Sequence, residues 1–518
     1  FTYLPVPGWF VPPLNFQSSD LPIISIHTAG QTIQDETRIV ANMGIIDNGA
    51  GQRNRITDPF NTYDGKISIE IRGESSQMFP KKSYRVETID ANGNPVNAAL
   101  LGMPAENDWV LYAPYTDKTM LRDVLAYQLG RALGSYAPRT RFAELVLNGE
   151  YMGVYVLIEK IKRDRNRVAM AELEPGDLSG DALTGGYLLR VDKWDANDFP
   201  AWTATPTPRL PGEEDKSFQY YDPKGFELAE AQRSYIREYI RQFQNALTST
   251  RFADPVAGFK PMLDVPDAVN FILINELGKN IDAYVFSTYL YKERDSRGGK
   301  LHLGPLWDFN LAFGNVNYLA NAQFAPGWMW NDGYRIFWIR RMMQAPHFAA
   351  EMKCRWQTLR GGFLTNDYIM DKIDSLAAVL NESQVRNYQR WPILGTYVWP
   401  NQFIGNTYAE EIAFLKNWIT ARLTYMDNEM PGDCGLITAV QDGVEPGVWP
   451  NPFTRELYVK APEDGERLEI VNAVGETVAV VELPLAGPWD GASLAAGVYV
   501  GRVYRANGQV VTVRFAKR

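Results

Sequence analysis

Cysteine and histidine are scarce in this sequence. Its 518 residues include two cysteines, Cys354 and Cys434, and three histidines, His27, His302 and His347. Two cysteines exclude a disulfide scaffold and a cysteine-rich metal site, and leave either one bridge in an oxidising compartment or two buried thiols. No histidine lies in a nucleophile motif, which argues against histidine-dependent hydrolysis and zinc chemistry. No apolar run approaches the ~18–20 residues that span a bilayer, so no transmembrane segment is expected. Positive charge is in deficit: 52 Lys and Arg stand against 61 Asp and Glu, a formal net charge of −9. That balance argues against a nucleic-acid partner and leaves Arg163, Arg165 and Arg167 as a local solvated face. The sequence begins at Phe1 without an initiator Met or a charged-then-apolar leader, and reads as a processed or trimmed polypeptide.

What is present is ample material for large cores. With 45% hydrophobic and 13% aromatic residues, the chain is long enough for two or three domains. Residues 1–20 are rich in Pro and aromatics and read as a surface arm. Alternation predicts strands at Leu21–His27, Ile39–Ile46, Lys66–Arg72 and on both sides of a small-residue turn within Ile71–Glu87. Asp117–Leu133 spaces Leu121, Val124, Leu125, Leu129 and Leu133 as a helix does. Arg141–Leu147 and Tyr151–Ile158 flank Asn148-Gly149, a strong hairpin signal. Residues 195–225, with five prolines (Pro200, Pro206, Pro208, Pro211, Pro223), read as a loop, insertion or lid. Helical periodicity then dominates Ala229–Leu247, Pro266–Leu277, Ile336–Arg360 and Tyr408–Met426. The tryptophans of the last third (Trp328, Trp330, Trp338, Trp356, Trp391, Trp399, Trp418) read as core packing, with carbohydrate stacking the minor alternative. Residues 431–447 read as a linker. The strand candidates beyond it, from Glu456–Lys460 to Val510–Phe515, space out like a small β-sandwich over 448–518.

Two runs carry the chemistry. Asn275–Ser287 (NELGKNIDAYVFS) holds Asp282, and Gly304–Asn315 (GPLWDFNLAFGN) holds Asp308. Between them Thr288–Glu293, the turn Arg294–Gly299 and Lys300–Leu306 read as a hairpin. A protein kinase places its catalytic-loop Asp before such a hairpin and its metal-binding Asp just after it. Phosphoryl transfer needs positioning and charge neutralisation more than covalent chemistry. Asp282 is therefore the candidate catalytic carboxylate, and Asp308 the candidate Mg²⁺ ligand, with Asn310 able to add a carbonyl oxygen. Ser287, five positions after Asp282, stands where kinases carry a metal-binding Asn. The turn Gly73-Glu74-Ser75-Ser76 could bring backbone amides to phosphate. Of the lysines that follow it, Lys82 is favoured as the phosphate cation and Lys81 remains open.

Several ordered motifs carry a family resemblance. IRGESS-x-x-FPKKSY, Leu100–Arg122, Leu147–Arg163, Thr184–Lys193 (TGGYLLRVDK), NELGKNIDAY and GPLWDFNLAFGN together resemble the CotH kinase family, the atypical kinases related to spore coat protein H. The resemblance covers roughly residues 20–430. It implies an α+β, divergent two-lobed protein-kinase-like fold that binds ATP and Mg²⁺ and phosphorylates serine of secreted or surface proteins. It supports Lys81 or Lys82 for phosphate, Asp282 for catalysis and Asp308 for metal. It also adds Glu159 and Arg122 as nucleotide-pocket residues, each with a structural ion pair as the alternative. Where the family often has a second acid after Asp308, this sequence has Asn310. With Ser287, that departure fits weakened catalysis or a pseudokinase.

Trp449–Val459, Leu468–Val478 and Leu494–Val503 resemble the type IX secretion sorting domain of Bacteroidota. The resemblance implies engagement of that secretion machinery, export across the outer membrane, and a cell-surface or secreted location. An accessory β-sandwich is the alternative. The leading functional reading is an exported kinase-like phosphotransferase. The other is a surface adhesin or assembly component built on the same fold, as the role of some fungal relatives as host-cell ligands implies.

Overall fold

Alternating strands in the first third of the chain curl into a barrel. Strands β1 (Ile23–His27), β2 (Ile39–Ile46), β3 (Tyr63–Arg72), β4 (Ser83–Ile89), β5 (Asp108–Tyr112), β6 (Thr140–Leu147) and β7 (Glu150–Glu159) close in the order β1-β2-β3-β4-β5-β7-β6. Neighbours are antiparallel except at the seam, where β1 runs parallel to β6 with Ile23 opposite Glu144. This is a computed structural model, and it describes residues 15–193, 201–212, 214–438, 447–449, 453–460, 465–472, 476–483, 488–505 and 510–517. The chain divides into two compact units, 1–433 and 434–518, and combines helices and sheets as an α+β protein.

Strand alternation sorts the barrel's side chains. Ile24, Ile45, Ile67, Val86, Trp109, Leu145, Tyr155 and Leu157 fill the inside. Val154, Val156 and Ile158 on the opposite face of β7 join the main core with the helices. Asn148 (φ 52°) and Gly149 (φ 82°) turn the β6–β7 hairpin, both left-handed as a tight two-residue turn requires. The helix expected over Asp117–Leu133 starts later, as α1 (Arg122–Ala132). Asp117 caps it from outside: its carboxylate accepts from the Thr119 N–H at 3.0 Å and the Arg122 N–H at 2.9 Å.

A second sheet follows: β8 (Tyr187–Val191), β9 (Trp202–Thr203), β10 (Ser217–Asp222), β11 (Thr288–Lys292) and β12 (Leu301–Leu303), in the order β9-β10-β8-β11-β12. Part of the segment 195–225 is thus sheet rather than loop; its residues 195–200 and 213 lie outside the described residues. Helices α2 (Glu230–Thr248) and α3 (Val265–Gly278) lie close to expectation. The periodicity of Ile336–Arg360 divides into α4 (Trp338–Met343) and α5 (Pro346–Gly361), because Pro346 has no N–H for a continuing helix and suits a first turn. Helices α6 (Asn366–Val379) and α7 (Ser383–Arg390) were not anticipated by the periodicity, and α8 (Tyr408–Glu429) was. Of the seven tryptophans of the last third, Trp399 alone is exposed at 37%, so packing is the main use of the set. Both cysteines are disulfide-bonded.

In the second unit two antiparallel sheets share one apolar cluster. One contains Gly447–Trp449, Glu456–Lys460 and Trp489–Asp490; the other contains Gly465–Val471, Thr477–Glu482, Gly497–Arg505 and Val510–Lys517. Leu457, Leu468, Ile470, Val503 and Phe515 are buried between them. The expected turns at Gly475 and Asn507-Gly508 lie outside the described residues, as do residues 1–14 of the arm expected over 1–20; of its remainder, Ser18–Ser19 pair with Asn54–Arg55 and Phe16 is buried.

One buried ion pair ties the last long helix to the element that matters most for the site. Arg422 of α8 lies 3.4 Å from the Glu276 carboxylate of α3, both fully buried, and its Nε donates to the Glu276 carbonyl at 2.8 Å. The Glu276 carboxylate also accepts from the Met329 and Trp330 N–H groups at 2.8 and 3.1 Å. Removing one partner of such a pair strands the other charge. Arg422→Ala is expected to cost about 3–5 kcal/mol in urea unfolding, and a cost within experimental error of zero would refute the clamp.

Candidate active site

The register of the second sheet gathers the functional residues. In the β8–β11 ladder Val191 lies opposite Thr288, so the next residues outward, Asp192 and Ser287, face each other at one end of the sheet. The Ser287 backbone lies near enough to Asp192 to favour its charged form. Strand β12 pairs on the other side of β11, Leu303 opposite Leu290, and the chain leaving it delivers Asp308 to the same end. There Asp308 Oδ2 accepts from the Ser287 hydroxyl at 3.2 Å. Asp282 arrives from α3. Lys279 ends that helix in a left-handed conformation, and the Asn280 side chain accepts from the Asp282 N–H at 3.1 Å while donating to the Trp307 carbonyl at 3.3 Å. Asn280 thereby spans the two runs that carry the aspartates.

Backbone strain concentrates in these runs. Lys279 (φ 44°), Tyr284 (68°), Ser287 (44°), Asp308 (64°) and Phe313 (52°) are all left-handed without being glycine, and such residues persist only where the surroundings over-determine them. The restraints are visible. The Asp308 N–H donates to the Tyr127 hydroxyl at 3.1 Å, and the Phe309 N–H to the Asp123 carboxylate at 2.7 Å. The Phe313 N–H reaches the Gly278 carbonyl at 2.6 Å. A Cβ on Gly278 would meet the Phe309 and Phe313 rings at 3.3 Å, which explains the glycine at this close approach.

The site is a concentration of negative charge. Burial, reinforced by the charge of Asp308, pushes Asp282 up to about 8, against the pull of Arg335. Burial also raises Asp308, opposed by Arg72, the Ser287 hydroxyl and Lys193. Asp123 is pushed up to about 7 by burial and by Asp308, and Asp192 rises by burial against its neighbour Arg190. The cations that face Asp308 are Arg72, whose guanidinium stacks 5.5 Å from the Trp307 ring, and Lys193, which pairs with Glu74 at 2.9 Å.

These two cations, with Asp192, Asp123 and Asn280, were missed as site residues. Asp192, Lys193 and Asn280 lie inside the quoted motifs, but alternation and spacing gave them no role. Lys81 is a core residue: its ammonium is 2% exposed, donates to the Val154 carbonyl at 2.6 Å and to Asn387 Oδ1 at 2.9 Å, and burial pushes it down to about 7. It staples β7 to α7. Lys82 is half-buried and donates to the Gln77 carbonyl, bracing the turn Ser75–Met78 in which Ser75 and Ser76 sit. That turn follows directly on Arg72 and Glu74. Arg122 is buried against Asp117 and donates to the Ala312 carbonyl at 3.1 Å, so it holds the loop beyond Asp308. Glu159 is fully buried and bonds Arg139 at 2.9 Å and the Tyr136 hydroxyl at 3.2 Å. For both, an internal ion pair is the role on view.

The groups beside Asp308 are oxygens: its own carboxylate, the Ser287 hydroxyl and the Asp192 carboxylate that feels its charge, while Asn310, two residues on, is half-buried. An oxygen-only set fits a hard divalent cation such as Mg²⁺. The Tyr112 hydroxyl is buried without a hydrogen-bond partner among the described residues and feels the charges of Asp123, Asp117 and then Asp308, an orphan that suits a bound polar group. These carboxylates do not close into a cage by themselves. Among the described residues, the three ligand atoms that lie within 4.8 Å of one another belong to Asp264, Asp267 and His302. There Asp264 caps α3 through the Asp267 N–H, and His302 Nδ1 bonds Asp267 at 2.7 Å, so the contacts are already used structurally.

Comparison with protein families places this geometry. The family model described as CotH kinase protein matches residues 69–426, more than half of the 518 residues. The chain is a kinase-like protein and belongs to the CotH kinase family. No curated protein matches it.

The raised Asp282 has a consequence for stability. A carboxyl that holds its proton more tightly when folded contributes stability at low pH and loses it as pH rises through the folded value. In metal-free protein, Asp282→Asn is expected to stabilise the fold relative to the parent by an amount that grows from pH 3.8 to about 8 and then levels. A difference in unfolding midpoint that stays constant across that range would contradict the burial of this charge.

Proposed function

We propose that this chain is an ATP- and Mg²⁺-dependent kinase-like phosphotransferase acting on serine of exported or surface proteins. The observation that supports the reading is the convergence of Asp282 and Asp308, joined through Asn280 and Ser287, with Arg72 and Lys193 facing them. When bound, Mg²⁺ would supply charge neutralisation to the phosphates. Asp308 is the residue to hold it, with Ser287 and Asn310 beside it. Arg72 and Lys193 are placed to meet the phosphate oxygens, in the role first given to Lys81 or Lys82. The Asp282 carboxylate orients the acceptor hydroxyl and takes its proton; a carboxylate kept from water is a better base than an exposed one.

Asp308→Ala is expected to abolish metal-dependent ATP binding in calorimetry. Asp282→Ala is expected to keep binding and lose phosphate transfer to protein, because its role lies in the chemical step. Transfer by Asp282→Ala at the parent's rate would remove the enzymatic reading. A second reading, a pseudokinase serving as a surface adhesin or assembly component, is favoured by Ser287 and Asn310 standing where stronger metal ligands are usual. ATP binding without any transfer by the parent would support it.

For the second unit the proposal is a β-sandwich sorting module recognised by the type IX machinery, supported by the motif resemblance and by the two sheets around one core. A chain truncated after Gly447 is expected to bind nucleotide as the parent does and to remain inside the envelope of a type IX-competent host. Surface delivery of the truncated chain, read by protease shaving, would count against the module.

A further inference from the structure

We infer that Asp192 is a second carboxylate ligand of the divalent-cation site whose first ligand is Asp308, and that Ser287 clamps the two side by side. The inference rests on the cation-binding part of the proposed function, and adds a ligand that the kinase-like spacing does not contain.

The argument starts from Ser287. At its position a kinase carries an asparagine whose carbonyl oxygen binds metal; a serine hydroxyl is a poorer donor, and here its proton is committed to Asp308 Oδ2 at 3.2 Å. Its backbone lies close enough to Asp192 to favour that carboxylate's charge. Ser287, left-handed at φ 44°, therefore stands beside both carboxylates, bonded to Asp308 and next to Asp192 in the ladder. The β8–β11 register makes the arrangement obligatory, since Val191 opposite Thr288 leaves Asp192 facing Ser287.

The other contacts of Asp192 leave room for this role. Oδ1 accepts from the Lys193 N–H at 2.9 Å, and Oδ2 lies 3.3 Å from Arg190 Nε. That same Nε donates to Gln219 Oε1 at 2.7 Å, so Arg190 is shared. The remaining cations of the site are shared too: Lys193 with Glu74, Arg72 with the Trp307 ring, Arg335 with the Ala283 carbonyl and Asp332. Asp192, Asp282, Asp308 and buried Asp123 are thus held near one another, and among the described residues the one ion pair they make is that of Asp192 with Arg190. The orphaned Tyr112 hydroxyl, within the field of Asp123, Asp117 and Asp308, is a second, separate sign of a polar guest. A hard cation binding carboxylates and waters would answer both.

The test uses terbium(III) with the full chain, read by luminescence sensitised through Trp307, the neighbour of Asp308, and Mn²⁺ binding by electron paramagnetic resonance. Asp192→Asn keeps an oxygen to accept the Lys193 N–H while removing the charge. It is expected to weaken both ions by roughly tenfold or more, with the unfolding midpoint of the ion-free protein unchanged or raised. Arg251→Gln, at an exposed pair with Asp254, is expected to leave the titrations unchanged. Parent-like titration of Asp192→Asn, with Asp308→Asn impaired, would overturn this inference and leave the proposed function standing. A parent that binds neither ion, or an Asp308→Asn variant that binds like the parent, would overturn both. Should Asp192→Asn lose its cooperative melt, Asp192→Glu, which displaces the carboxylate by one methylene, is expected to weaken the ions, and parent-like binding by it would overturn the inference.

Discussion

Repulsion among like charges is the constraint around which this structure is organised. Asp123, Asp192, Asp282 and Asp308 share one cleft, and each is raised in pKa by burial, with Asp308 adding its charge to the other three. A collapsing chain left to itself would separate them. They stay together because each is delivered by a different rigid element: Asp123 by α1, Asp192 by β8, Asp282 by the end of α3, and Asp308 by the segment after β12. The free energy that keeps them close is the burial of those elements, not attraction at the site.

The same division of labour accounts for the strained backbone. Five left-handed non-glycine residues lie within 279–313, and each is fixed by a partner outside its own run or by the facing run. Tyr127 and Asp123 hold the Asp308–Phe309 step. Arg122 holds Ala312, and Arg335 and the Ile336 N–H hold the carbonyls of Ala283 and Tyr284. Arg122, first read as a nucleotide contact, is seen holding the loop that follows Asp308.

How much of this was readable beforehand depended on the range of the interaction. Local signals served well: Asn148-Gly149 announced its hairpin, the periodicity of Pro266–Leu277 announced α3, and the hairpin between the two aspartates announced their order. Signals that mix scales failed. The spacing that made Asp117–Leu133 look like one helix concealed that Asp117 is a cap. The alternation that set Lys82 against Lys81 was silent on Asn387, which accepts the Lys81 ammonium from 306 positions away. Strand β10 was hidden by the prolines around it. Asp192 and Lys193 sat in a quoted motif yet carried no periodic signature, because their function arises from a ladder partner roughly a hundred residues on. Barrel closure was likewise invisible, since one parallel pairing decides it and its partners have no sequence mark.

That seam also orders events in time. Strand β1 pairs with β2 at once, but its other edge stays open until residues near 144 have been made and the β6–β7 hairpin has formed. Contacts that span long stretches of chain form slowly, because loop closure costs entropy before the contact repays it. Until then the nascent barrel is an open sheet with an unsatisfied edge, a natural handle for a holdase and a hazard without one. The interval between synthesis and closure is therefore when the chain is most easily kept unfolded, because the fold is finished only when the first barrel strand meets the sixth.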